Sequence, residues 1–479
     1  MTGRAQTHTP FLSELLQLSA ARRPDAVAIA ENGADLTYAQ LWAAVRDFGR
    51  SLADHGIGPG SRVLVAVRSA TLTAMSVYAA SHLGATVSVI GDRYSDTQRE
   101  MIEQDYAPHL ILTEHHGEMI TEAGPGGMVD QTGDPALVIY TSGSSGQPGG
   151  VVCPREAVSF SVGAIIRMLD YLPTDRVLAI PPFSFDYGLY QLFLTAASGA
   201  SLAVAAPGDA LATFTRASAW EPTVLPVLPA LARSCLSLAA RWPASVRTGV
   251  RLITSTGAHW DDDTRAALRD LFPRAGLVSM YGLTECKRTT ISAVDEDLSA
   301  PGTVGRALPG TTVWIQGENG HPAAPGEIGQ VIVRGPHVMS GYWGDPERTR
   351  ATFREHHGVR ELLTGDNGHL DAEGRLYVHG RRDGQVKIRG TRVSAAEIER
   401  AATDLATVSM AALISGRNGE PVLYIEGTAT ETEIRRRIGE LVGTWKIPND
   451  IRVLAHLPVN DRGKVDLALL RGLADRKSP

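Results

Sequence analysis

A short apolar run, Ala136 to Tyr140, breaks directly into Thr141-Ser142-Gly143-Ser144-Ser145-Gly146-Gln147-Pro148-Gly149-Gly150-Val151. The run reads as a buried strand, being short and bounded by polar turn residues. The glycines and hydroxyls after it make a loop rich in N–H and O–H donors. Glycine reaches the dihedrals that turn successive amides inward, so such a loop can wrap a polyphosphate. It is not a Walker loop, since no Gly-Lys-Ser/Thr closes it. Taken alone, the same residues would also suit a Gly/Ser-rich surface turn.

Helix and strand patterns alternate on both sides of this loop. Thr37 opens a helix: Gln40 completes a capping box, and Tyr38, Leu41, Val45, Phe48 and Leu52 recur at helical spacing. Strands are expected at 62–67, 85–90, 109–112, 177–180, 202–205, 251–254 and 277–280, with helices at 72–83 and from Ser95. Strands interleaved with helices imply parallel sheets covered on both faces. From about Gly302 the texture changes to short strands between glycine turns, at 312–316, 330–334 and 375–379. Gly380-Arg381-Arg382-Asp383-Gly384 has turn chemistry and reads as a linker to a small α+β domain. The expectation is an α/β chain. A large N-terminal domain of stacked sheets covers 1–382, with a β-rich subdomain at about 302–380, and a small mobile domain covers 383–479.

Bulk numbers narrow the function. A chain of 479 residues is too long for one compact core. Its 43% hydrophobic and 20% charged residues suit a globular enzyme, and a net charge of −6 argues against nucleic acid as the main partner. Cys153, Cys235 and Cys286 have no metal or disulfide spacing, which fits a reducing cytosol. Residues 1–10 lack a signal-peptide pattern, and no window approaches eighteen consecutive apolar residues. A cytoplasmic location, with no membrane partner, is expected.

The glycine loop resembles the phosphate loop of adenylate-forming enzymes, the superfamily of acyl-CoA synthetases, nonribosomal-peptide adenylation domains and luciferases. Their pattern reads roughly Tyr-Thr-Ser-Gly-Ser/Thr-Thr-Gly-x-Pro-Lys-Gly-Val. One position departs, as Gly149 stands where that family carries lysine. By the resemblance, Thr141, Ser142, Gly143, Ser144, Ser145 and Gly146 cradle the phosphates of ATP. Met280-Tyr281-Gly282-Leu283-Thr284-Glu285 lies at a strand exit, where open α/β sheets bind ligands. It matches the family's Tyr-Gly-x-Thr-Glu, which implies that Tyr281 stacks on adenine beside Gly282, Thr284 contacts the phosphates and Glu285 holds Mg²⁺. A carboxylate with phosphate oxygens is a usual setting for that ion. Ser255-Thr256-Gly257-Ala258 is similar to the family segment whose backbone, here Gly257 and Ala258, lies against the adenine. Asp366, in Leu363-Thr364-Gly365-Asp366, resembles the aspartate that accepts both ribose hydroxyls, and Arg381 the arginine that touches ribose and phosphate.

The run from Gln385 to Val393, with Glu397-Ile398-Glu399, resembles the hinge and following loop of peptide-synthetase adenylation domains. Asp383 would be the hinge. Lys464, in Gly463-Lys464-Val465-Asp466, matches the superfamily's catalytic lysine. Its ammonium would bridge the charge that spreads over oxygens as a carboxylate attacks the α-phosphate. The implied enzyme turns a carboxylic acid and Mg·ATP into an acyl-adenylate and pyrophosphate. A second nucleophile then displaces AMP.

Pro181-Pro182-Phe183-Ser184-Phe185-Asp186-Tyr187-Gly188-Leu189-Tyr190 lies where the family reads its acyl substrate. Amino-acid-activating relatives carry Phe-Asp here, and the aspartate pairs with the substrate's amine. Asp186 either does this or caps a helix beginning at Tyr187. The same alignment brings Phe185, Tyr187, Tyr190, Pro226, Thr254, Thr256, Met280, Arg288 and Thr289 to the pocket. Tyrosines, threonines and an arginine suit a small amino acid or an amino- or hydroxy-substituted aryl acid better than a fatty chain. No carrier domain follows Pro479, so a phosphopantetheinyl carrier protein is expected to act in trans. CoA and nitrogen nucleophiles are alternative acceptors, and Gly149 leaves room for an inactive nucleotide-binding relic. Lys287 and Arg288 are expected to make up for the missing loop lysine.

Overall fold

The computed structural model describes residues 12–470 except 32, 92, 93, 95, 116, 127–134, 143–147, 206–209, 230, 231, 233–235, 258, 259, 261, 357, 382–384, 390, 417, 418, 459–464, 466 and 468. Two large sheets dominate. The nine-stranded sheet has a parallel centre ordered Gly276–Tyr281, Leu252–Ser255, Val224–Val227, Arg176–Ala179, Ser201–Val204 and Val27–Glu31. The seven-stranded sheet has a parallel centre of Pro135–Ser142, Thr86–Val89, Arg62–Ala66 and Leu110–His115. Antiparallel strands flank both centres, so the expectation of purely parallel sheets holds only for the middles.

Helices fill the space between the sheets. Asp186–Ser198 is buried along eleven of its thirteen residues, as expected of a helix covered on every side. Its partner Ala70–His82 is likewise apolar on most faces, and Tyr78 donates to the Leu192 carbonyl at 2.8 Å across the layer. The helix read from Thr37 is present as Tyr38–Asp54, and the Thr37–Gln40 capping box is made in both directions. Burying Tyr38 requires partners for its hydroxyl, and the carbonyls of Thr195 and Ala200 accept it.

The region beyond Gly302 forms a five-stranded antiparallel sheet of Thr312–Gln316, Gly329–Arg334, Val359–Leu370, Phe353–His356 and Leu376–Arg381. The C-terminal residues build a separate core. A hairpin of Gln385–Ile388 with Thr391–Ser394 and a three-stranded sheet pack with helices Ala395–Thr403 and Glu431–Val442. Inside it, the buried pair Lys446–Glu397 opposes the upward push of burial on the Glu397 carboxyl. Among the described residues, no helix is long and apolar enough to cross a membrane.

One buried group makes stability pH-dependent. His337 is fully enclosed, neither ring nitrogen has a partner among the described residues, and burial pulls its pKa from 6.5 to about 4. The unfolded chain therefore binds the extra proton first. The contribution is complete above pH 6.5 and is lost as the pH falls towards 4, by about 2 kcal/mol at pH 5. His337→Phe is expected to shrink the drop in thermal midpoint between pH 7 and pH 5. An unchanged drop in the variant would refute this.

Candidate active site

The parallel strands Leu252–Ser255 and Gly276–Tyr281 run in register, Ser255 beside Ser279, and the second continues past the first to Tyr281. The second strand exits into a turn that folds back sharply. Cys286 N–H donates to Leu283 at 3.0 Å and Thr289 N–H to Tyr281 at 2.8 Å. Two backbone features allow this. Lys287 adopts the left-handed φ of +60°, and a Cβ on Gly282 would overlap the Lys287 carbonyl. The turn consequently buries Glu285, Lys287, Arg288 and Thr289 in one short stretch.

Three expected nucleotide contacts gather here. The Tyr281 hydroxyl donates to Asp366 at 2.5 Å, joining residues 85 apart in sequence. Asp366 sits opposite Arg381 where Val359–Leu370 pairs with Leu376–Arg381, and its N–H donates to the Thr364 hydroxyl at 3.1 Å. Glu285 accepts from the Tyr342 hydroxyl at 2.6 Å, a partner that sequence reasoning did not name. Gly257 has φ +92°, beside buried Thr256. Thr284 is half-buried on the turn.

The glycine loop lies between Pro135–Ser142 and Pro148–Pro154, which pair antiparallel with Thr141 opposite Gly149. The Thr141 hydroxyl donates to the Gly149 carbonyl at 3.3 Å. A Cβ on Gly149 would overlap the guanidinium of Arg348. Gly143, Ser144, Ser145, Gly146, Ala258, Asp383 and Lys464 lie outside the described residues, as do the side chains of Ser142 and Arg381.

A narrow cavity opens on the other side of the turn. Asp186, Tyr187, Tyr190, Gln191, Met280, Lys287 and Arg288 line it, with Ile165, Leu169 and Leu194. The helix begins at Asp186 itself: Phe185 is its N-cap residue and no side chain caps it. The capping alternative for Asp186 therefore fails, because its carboxylate is already inside the first turn. Asp186 is 4% exposed and has no hydrogen bond or ion pair among the described residues. Lys287 is 1% exposed, its ammonium 5.5 Å from the Tyr190 ring and beside the Cys153 thiol, with no carboxylate paired to it among the described residues. The nearby Cys153 thiol is pushed up by burial and only partly drawn back by Lys287; a thiol is too weak an acceptor to stand in for a carboxylate. The Arg288 guanidinium lies 4.8 Å from the Tyr187 ring and donates to the Lys287 carbonyl at 2.9 Å.

Of the other expected pocket residues, Thr254 accepts the Tyr187 hydroxyl through its carbonyl at 2.8 Å, and the two hydroxyls share a second hydrogen bond at 2.6 Å. Burial keeps that phenol protonated and able to donate. Pro226 lies beside Thr254 in the sheet, Thr289 bonds Cys286, and Phe185 packs on the main core. Thr254, Thr256, Pro226, Thr289 and Phe185 are not among the described residues that line the cavity. Arg288 lines this cavity as the pocket expectation has it, and Lys287, expected only at the phosphates, lines it as well.

No group of three or more metal-binding side chains occurs among the described residues. The donor set at Glu285 is a single carboxylate with one oxygen bound by Tyr342. That fits an ion held chiefly by substrate phosphates, as Mg²⁺ commonly is, and not a self-sufficient protein cage.

The family model described as AMP-binding enzyme matches residues 16–343. Indoleacetate–CoA ligase of Aromatoleum aromaticum is 27% identical over 98% of this chain and 99% of its own length. Tyrocidine synthase 3 of Brevibacillus parabrevis is 27% identical over 96% of this chain, which spans 8% of that much longer protein. Among solved structures, VinN in complex with L-aspartate is 30% identical with a TM-score of 0.69, covering 78% of this chain and 99% of VinN. The strand-end turn, the paired Tyr281 and Asp366 and these likenesses agree, and the chain belongs to the AMP-binding enzyme family.

Proposed function

We propose that this enzyme activates a small amino dicarboxylic acid, of the aspartate type, as its acyl-adenylate. It then passes the acyl group to the phosphopantetheine thiol of a carrier protein acting in trans. One observation carries the substrate class: a buried carboxylate, Asp186, and a buried ammonium, Lys287, line the same cavity, Lys287 has only the Cys153 thiol beside it, and no ion pair joins either to a described residue. Isolated buried charges are costly, so a ligand of complementary charge is called for. Asp186 suits an ammonium, while Lys287 and Arg288 suit a carboxylate beyond the one that reacts. The L-aspartate complex of the similar VinN supports this reading.

In the first step a carboxylate oxygen attacks the α-phosphorus and the bond to pyrophosphate breaks. Tyr281 and Asp366 orient the nucleoside, Thr141, Ser142, Gly143, Ser144, Ser145, Gly146 and Thr284 donate to the phosphates, and Lys464 steadies charge on the reacting oxygens. Bound Mg²⁺, held by Glu285, would neutralise the outgoing phosphates. In the second step the 383–479 domain turns about Asp383. The carrier thiol loses its proton, its sulfur bonds to the acyl carbon, and AMP leaves as a far better leaving group than oxide.

Acid-dependent ATP–pyrophosphate exchange tests the proposal. Aspartate is expected to outperform succinate and β-alanine, each lacking one charged group, as well as anthranilate and aliphatic acids. Exchange supported only by aryl acids would sink the substrate assignment. AMP release on adding phosphopantetheinylated carrier, CoA or an amine then identifies the acceptor, and preference for CoA or an amine would replace the carrier.

A further inference from the structure

We propose that Arg348 supplies the cation that meets the pyrophosphate portion of the nucleotide, in place of a charged side chain at position 149. The proposal rests on the ATP-dependent reading above. From Thr141 to Gly150 the loop contains only threonine, serine, glycine, glutamine and proline, so it brings donors but no positive charge. Lys287 and Arg288 are committed to the acyl-side cavity. A triphosphate meeting neutral loop donors would depend on the Mg²⁺ expected at Glu285 alone for charge compensation at its terminal phosphates.

Arg348 arrives from a distant part of the chain and fills that gap. It lies in the first turn of helix Pro346–Thr352, where the Asp345 carboxylate accepts its backbone N–H at 2.9 Å. The side chain crosses the face of Tyr342, its guanidinium 3.7 Å from the ring centroid. One end of this stack occupies the space a Cβ on Gly149 would need. The Tyr342 hydroxyl binds Glu285 at 2.6 Å, so a single ring links Arg348 to the expected metal acid. Among the described residues no carboxylate or carbonyl pairs with the guanidinium, and Arg348 is only half-buried. A planar fork held flat on an aromatic ring, with its donors uncommitted, is suited to bidentate phosphate binding. Glycine at 149 is then a requirement: any side chain there competes with the guanidinium.

Calorimetric binding of Mg·ATP and of AMP to the full chain tests the assignment. Arg348→Ala is expected to weaken Mg·ATP about tenfold or more, a charge-assisted contact, while AMP changes by less than about twofold. AMP binding also shows that the variant is folded. Gly149→Lys in the Arg348→Ala background is expected to restore most of the lost affinity, since the vacated space now admits a cation from the loop. Unchanged Mg·ATP affinity in Arg348→Ala would overturn the proposal, and so would equal losses for ATP and AMP, the mark of a merely structural role. A wild-type chain that binds no Mg·ATP would refute the ATP reading itself, and this assignment with it.

Discussion

Lys464→Ala is expected to slow acyl-adenylate formation by about 10²–10³-fold while Mg·ATP still binds, the usual cost of removing a preorganised charge from a developing oxyanion. The separation of binding from chemistry is the informative part. In the proposed division at Asp383, Lys464 falls in the C-terminal unit, whereas Tyr281, Asp366 and Glu285 fall in the N-terminal one. The nucleotide can therefore dock without Lys464, and only the transition state should miss it. Transfer from a chemically prepared acyl-adenylate to the thiol should be much less affected, because that step does not attack phosphorus. Single-turnover measurement of both half-reactions decides the matter. Equal loss in both steps, or full activity in the variant, would remove Lys464 from the first step.

Local patterns were readable where the sequence encodes them locally. The capping box of Thr37 and Gln40 appears as expected because both partners lie within one helical turn. The strands expected at 312–316 and 330–334 likewise appear as an antiparallel pair; burial alternates along the first, whereas Val331, Ile332 and Val333 of the second are all buried. The far side of the glycine loop was not read as a strand. Pro148-Gly149-Gly150 has turn chemistry, yet these residues pair with Tyr140, Thr141 and Ser142 because Val151, Val152 and Cys153 must be buried beside them.

The site divides in the same way. The turn beginning at Tyr281 is a contiguous motif and was legible. The direction of Lys287, six residues on, depends on a left-handed φ and on the closeness of Gly282 to its carbonyl, neither visible in residue types alone. The sequence therefore places Lys287 only at the phosphates and Arg288 at either the phosphates or the pocket, and the folded turn puts both on the cavity beside Asp186. Tyr342 and Arg348 were missed for a different reason. Their roles come from contacts with residues 57 and about 200 positions away, and spacing carries no signal for those. The one available hint was the charge deficit at Gly149, which asks for a cation without saying which.

Asp186→Asn should cost about 10²–10³ in kcat/KM for aspartate, in line with truncating one partner of a buried charge pair. The substitution keeps the side-chain shape and, with no internal partner at Asp186, breaks no hydrogen bond among the described residues. Its effect should therefore fall on the ligand and not on the thermal midpoint. With the carboxylate gone, a substrate ammonium would face Lys287 and Arg288 uncompensated. Succinate, which carries both carboxylates and no amine, should be handled by the variant as well as by the wild type or better. The aspartate-to-succinate ratio thus collapses from one side. Lys287→Met probes the other side: it should penalise aspartate and spare β-alanine, which has no second carboxylate for the ammonium to hold. Exchange kinetics with the three acids in the three proteins give the complete comparison. If Asp186→Asn lowers activity by the same factor for aspartate and succinate, the aspartate does not read the amine, and the cavity selects by some other feature than charge.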